Sequence, residues 1–206
     1  MVDLLQKEYI EYLNSLKPLV QCCNVSRSCI RFEEIDDPIF DIQDRRPTIK
    51  QPYGTGSVTY KNPNIKKITI INYEDFLNQQ TDAVIKKLEL KKCDFIVYHS
   101  NGTDFFILNE LSQSSNASNK RNDAILQLSN ALMHFFRVPS IKSFIQRFTN
   151  KSCVFSNREK HIATPDGIAD AFDVIKEYLP EPRVLSFQPI TKLNFKLIES
   201  TVVDVS

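Results

Sequence analysis

The chain has 206 residues, of which 42% are hydrophobic and 25% charged, and its formal net charge is +1. That length and apolar content can bury a core and exclude a wholly disordered chain, while the balanced charge excludes a uniform basic field for holding nucleic acid. The sequence contains no apolar run of about 20 residues, so no membrane-spanning helix and no membrane partner are expected. Five cysteines, an odd number, and the lack of a signal peptide point to a reducing, cytoplasmic setting. Cys22, Cys23 and Cys29 have no obvious second pair, so zinc is not expected.

In chain order, Leu5, Tyr9, Tyr12, Leu13 and Leu16 recur at helical spacing and predict an amphipathic helix over 2–16, ending before Pro18. Cys29 to Phe32 reads as a short strand. The acidic, proline-interrupted stretch that follows, with Glu33, Glu34, Asp36 and Asp37, reads as a solvated loop. Arg45-Arg46-Pro47 through Gly56 reads as an extended loop, and Gly54-x-Gly56 lacks the context of a phosphate loop. Strands are expected at 58–60 and 65–71 around the Asn62-Pro63-Asn64 turn, then a helix over 74–90. Lys86, Lys87, Lys91 and Lys92 lie at the end of that helix or just beyond. They complement its dipole, worth about 0.3–1 kcal/mol each, or they face phosphates.

The stretch 93–137 organises the chain. Phe95 to Tyr98 and Phe105 to Leu108 flank Ser100-Asn101-Gly102-Thr103, the pattern of a β-hairpin. Asp94 stands at the mouth of the first strand and Glu110 near the end of the second. Alternation puts Phe106, Leu108, Glu110 and Ser112 on one face, and Phe105, Ile107, Asn109 and Leu111 on the other. Both faces are apolar through Leu108, so the strand is expected to be central and buried. A carboxylate there needs a cation, a backbone donor or a salt bridge. A helix follows over 119–137. Its apolar side carries Ala124, Leu128, Leu132 and Phe135, and Lys120, Asp123, Gln127, Asn130 and His134 share a polar stripe. The stripe faces water or the site, with water the expectation for His134.

Ile141, Phe144, Ile145 and Phe148 mark a short helix after Pro139, and Cys153 to Phe155 reads as the next strand. The run 157–161 that leaves it is basic, and reads equally as a phosphate contact or a solvated loop. Thr164-Pro165-Asp166 starts a helix that ends before Pro180, and 184–187 and 193–198 read as extended segments.

An Asp, a Glu-x-[polar] on the adjoining strand, then a helix with Gln-Leu resembles the core of the PD-(D/E)XK nuclease superfamily. The resemblance runs over about 73–158. It implies an α/β fold with a restriction-endonuclease-like central mixed sheet flanked by helices. The whole of 1–206 is then one domain. The N-terminal addition, 1–72, is a helix and an extended region, and the C-terminal addition, 164–199, is a helix and strands. By resemblance, Asp94 and Glu110 bind Mg2+ or Mn2+, Gln127 is the helical glutamine, and Ser112 stands where the family carries its catalytic lysine. Some relatives place that lysine on the helix, and Lys120 is the nearby candidate here. All-oxygen ligands suit magnesium or manganese better than zinc. The expected function is a metal-dependent nuclease acting on DNA or RNA. The alternative is a catalytically degenerate binding module, with nucleic acid or protein as partner, in a bacterial defence or mobile-element system. A third possibility is an unrelated α/β protein in which both acids are structural.

Overall fold

A computed structural model describes residues 1–16, 30–43, 48–79, 90–112, 117–158 and 182–206. The expected helix over 164–179, most of the second half of the helix over 74–90, Cys22, Cys23, Cys29, Arg45, Arg46, Pro47, Lys86, Lys87 and His161 lie outside the described residues.

The strands are β1 (Phe32–Ile35), β2 (Ile39–Ile42), β3 (Lys50–Gln51), β4 (Val58–Lys61), β5 (Ile68–Asn72), β6 (Phe95–His99), β7 (Phe105–Ser112), β8 (Asn150–Asn157), β9 (Arg183–Leu185), β10 (Lys196–Glu199) and β11 (Val202–Asp204). The described helices are α1 (Val2–Leu4, a π-helical turn Leu5–Tyr9, then Ile10–Leu16), α2 (Tyr73–Asn78), α3 (Ala117–Phe136), α4 (Pro139–Gln146) and α5 (Gln188–Thr191). Seven strands form one open sheet in the order β1-β5-β6-β7-β8-β10-β9, and four form a second in the order β11-β4-β2-β3. The large sheet is mixed. β5, β6 and β7 run antiparallel, whereas β8 pairs parallel to β7 and β10 parallel to β8. The architecture is therefore α/β.

The alternation in β7 explains why the sheet is buried on both faces. Phe106 and Leu108 point into a core with Leu5, Tyr9, Leu128 and Phe135 of α1 and α3. Phe105 and Ile107 point into a second core with Phe40, Ile42, Val58 and Tyr60. So the described helices of the larger core pack on one face, while the second sheet covers the other. Residues two apart on a strand share a face, and β7 feeds both layers with one run. The Tyr60 hydroxyl donates to Asn109 Oδ1 at 3.0 Å, and the Asn109 amide donates to the Val154 carbonyl at 3.0 Å, which ties the layers together.

The acidic stretch is not a loop. β1 and β2 occupy it, because Ile35, Phe40 and Ile42 fill the second core and Pro38 falls between the strands. The Glu33 carboxylate accepts from the Ile49 and Lys50 amides at 2.6 and 2.8 Å, and Asp41 is wholly buried. The first strand begins at Phe32 rather than ending there. At the C-terminus the two expected extended segments become β9 and β10 with the short helix α5 between them. β11 adds a strand parallel to β4 that the alternation did not announce.

Candidate active site

The β6–β7 ladder ends at the Phe95–Asn109 pair, so Asp94, one residue before β6, and Glu110, one residue beyond Asn109 in β7, stand at the same end of the hairpin. Glu110 shares a face of β7 with Leu108, two residues before it. That face is the helix side, which Leu108 also enters. Both acids are 8% exposed. The Leu111 amide donates to Asp94 Oδ2 at 2.6 Å, which holds the side chain across the mouth of the hairpin. The Asp94 carbonyl accepts from the Tyr73 and Glu74 amides at 2.8 and 3.3 Å, so it caps α2. One residue thus joins the hairpin to a helix N-terminus, where negative charge is favourable.

Asp94, Glu110, Ser112, Lys120 and Gln127 all line one cavity of about 720 Å³. Glu74, Lys91 and Lys92 line it too, with Gln43 and Ser57 from the side of the second sheet. Helix α3 forms a wall because its apolar stripe docks on the sheet, which turns Lys120, Asp123 and Gln127 towards the strand ends. The Gln127 amide donates to the Lys92 carbonyl at 2.9 Å, and Asn130 Oδ1 accepts from the Lys91 amide at 2.9 Å. Helix α3 therefore anchors the two residues that lead into Asp94. Its start is fixed in turn by Arg121, whose guanidinium donates to both Glu199 oxygens at 2.8–3.1 Å.

Two polar residues make contacts that the sequence did not announce. His134 does not face water. It is 8% exposed, and its Nδ1 lies 2.9 Å from the Tyr12 hydroxyl of α1. Burial, with Arg137 adding a like charge, lowers its pKa from the ordinary value. Arg158 lies in the basic run 157–161, of which 159–161 fall outside the described residues, and it has partners within the protein. Its guanidinium donates to Asp41 Oδ2 at 3.1 Å, the Gly56 carbonyl at 3.0 Å, Thr59 Oγ1 at 2.7 Å and the Thr201 carbonyl at 3.3 Å. Its backbone amide donates to the Ser112 carbonyl at 3.1 Å, so it also holds the end of β7.

Sequence reasoning missed Glu74 as a cavity residue, and Gln43 and Ser57 with it. Glu74 had a signal, since it opens a helix between two strands of the same sheet. Gln43 and Ser57 had none, because only the packing of the second sheet brings them here. Cys93 adjoins the acids but is not a thiolate. Burial first, then the Glu110 and Asp94 carboxylates, push its pKa well above the ordinary thiol value.

Among the described residues, no group of three or more His, Cys, Asp or Glu is arranged to hold a metal ion. A magnesium site does not need one, since one or two carboxylates with waters and substrate phosphate suffice. Asp94 and Glu110, which both line the cavity, are hard-oxygen donors of that kind. Among the described residues, no helix is long and apolar enough to cross a membrane. No protein-family model, no curated protein and no solved structure matches the chain.

Proposed function

We propose that the protein is a metal-dependent phosphodiesterase of the PD-(D/E)XK-like nuclease fold, acting on nucleic acid. The observation that carries this reading is that Asp94 and Glu110, from one end of the β6–β7 hairpin, line a cavity that also holds Lys91, Lys92 and Lys120. The central position of the acid-bearing hairpin in a mixed sheet supports the fold assignment, as does the following helix α3 with Gln127 at the cavity wall.

Asp94 and Glu110 would hold Mg2+ or Mn2+. When bound, such a cation lowers the pKa of its water and offsets charge on the attacked phosphate. The chain's own residues do the rest. The Leu111 amide orients Asp94, and the register orients Glu110. The Ser112 hydroxyl is both donor and acceptor, so it aligns water but brings no charge. The lysines draw in the phosphate backbone, and Gln127 holds the backbone that places one of them.

The test is cleavage of plasmid, linear duplex and single-stranded DNA, and of RNA, with Mg2+ or Mn2+, against Asp94→Ala and Glu110→Ala. Cleavage by the parent chain and its loss in both variants is the expected result. Ser112 in place of the family's lysine favours a second reading, the non-catalytic binding module. Retained binding of the same substrates with no cleavage under any of these conditions would select it.

A further inference from the structure

The proposed chemistry needs a positive charge beside the scissile phosphate, and Ser112 supplies none. We propose that Lys92 is the phosphate-binding cation of this cavity, held ready by Glu74 and Asn78. The inference rests on the nucleic-acid reading above and names the residue that contacts the substrate backbone.

Among the described residues, three lysines line the cavity, and they differ in how they are held. Lys91 and Lys120 are exposed, so their side chains sample many rotamers. Lys92 is fixed at both ends. Its carbonyl accepts from Gln127 Nε2 at 2.9 Å, which pins the backbone two residues before Asp94. Its ammonium lies 3.5 Å from Glu74 Oε1 and donates to Asn78 Oδ1, and its side chain is only 25% exposed. A long side chain already ordered loses less on binding, which is the general advantage of preorganisation. Lysine is a flexible point charge with three donors, suited to a phosphate oxygen.

The Glu74 contact is also the right kind to be exchanged. At 3.5 Å the pair is longer than the usual charged hydrogen bond of about 2.7–2.9 Å. Glu74 itself sits in the first turn of α2, where the helix dipole stabilises its charge independently of Lys92. An entering phosphate can therefore take the ammonium without stranding the carboxylate. Asn78 keeps the amine aimed as it does so.

The experiment measures binding of a short fluorescein-labelled oligonucleotide, single-stranded and duplex, by anisotropy in EDTA over a range of salt. Cleavage is followed in parallel with Mg2+ and Mn2+. Lys92→Ala is expected to weaken binding by about tenfold. It should also reduce the salt slope by about 0.7 for the single strand or 0.9 for the duplex, because one phosphate fewer is neutralised. Lys92→Arg should restore binding. Glu74→Gln should tighten it, because a competing carboxylate is removed. Lys142→Ala on the exposed face of α4 should change nothing. Circular dichroism checks that each variant is folded, and Lys92→Gln repeats the measurement if Lys92→Ala is not. Unchanged affinity and salt slope in the folded Lys92 variant would overturn the proposal while leaving the Asp94–Glu110 reading intact. So would a Glu74→Gln variant that loses as much binding as Lys92→Ala, because the pair would then be structural. A parent chain that neither binds nor cleaves any of these nucleic acids would overturn both readings together.

Discussion

Replacing Arg158 by Met removes the guanidinium that links the end of β8 to the second sheet. Arg158 donates to four acceptors, among them the Asp41 carboxylate, whose side chain is 0% exposed. Breaking a buried ion pair by deleting one partner costs about 3–5 kcal/mol, because the other charge stays buried. Two features reduce that figure here. The Arg158 side chain is 26% exposed, and Asp41 keeps the Gly56 amide at 2.8 Å and the Thr59 hydroxyl at 2.7 Å. The expected cost is therefore about 2–4 kcal/mol, a large share of the roughly 5–15 kcal/mol that holds a typical domain. With a urea slope of about 2 kcal/mol/M, the unfolding midpoint should fall by about 1–2 M. A double-mutant cycle with Asp41→Asn isolates the pair, and residues in one network couple by about 0.5–3 kcal/mol. A loss below about 1 kcal/mol, with no coupling, would show that the guanidinium is not committed to Asp41. Weakened oligonucleotide binding with undiminished stability would instead favour a phosphate-contact role for Arg158.

Three further outcomes follow from the same contacts. Gly56→Ala should cost about 1–3 kcal/mol, since a Cβ there would meet Asp41 Cβ at 2.6 Å and the Ile42 carbonyl at 2.7 Å; a thermal melt no lower than the parent's would contradict it. Asp94→Ala should cost about 1–3 kcal/mol by stranding the Leu111 amide, whereas Asp94→Asn keeps an acceptor and relieves the charge beside Glu110; urea melts should rank Asn at or above the parent and Ala below it. His134 is held neutral by burial, so its contribution to stability is fully present above the ordinary histidine value of about 6.5 and is lost as pH falls through the lowered folded value. His134→Gln should flatten that part of the stability–pH curve, and an unchanged slope would show that another group titrates there.

Much of the site was legible in residue order. The hairpin around Gly102 placed Asp94 and Glu110 on facing strands, and the period of two put Glu110 and Ser112 on one face. The helical stripe predicted Lys120 and Gln127 together, and the cavity receives both. These are local inferences, in which a strand or helix period sets direction over a few residues. The stripe failed at His134, because the period gives the face but not what α1 lays against its far end. The partners of Arg158 were hidden for a different reason. Its sequence neighbours are polar, and nothing in them announces Asp41, more than a hundred positions earlier.

The sequence by itself determined the α/β pattern, the central double-faced strand β7, the acidic hairpin and the helix behind it. These rest on hydrophobic period and turn chemistry, which act between near neighbours. Only the tertiary structure decided that β1 and β2 form at all, because Ile35, Phe40 and Ile42 become a core when the second sheet closes over β5, β6 and β7. It alone brought Gln43, Ser57 and Glu74 to the same cavity as Asp94. The physical reason is that a buried charge or an apolar strand is stable only beside its partner, and those partners lie far along the chain.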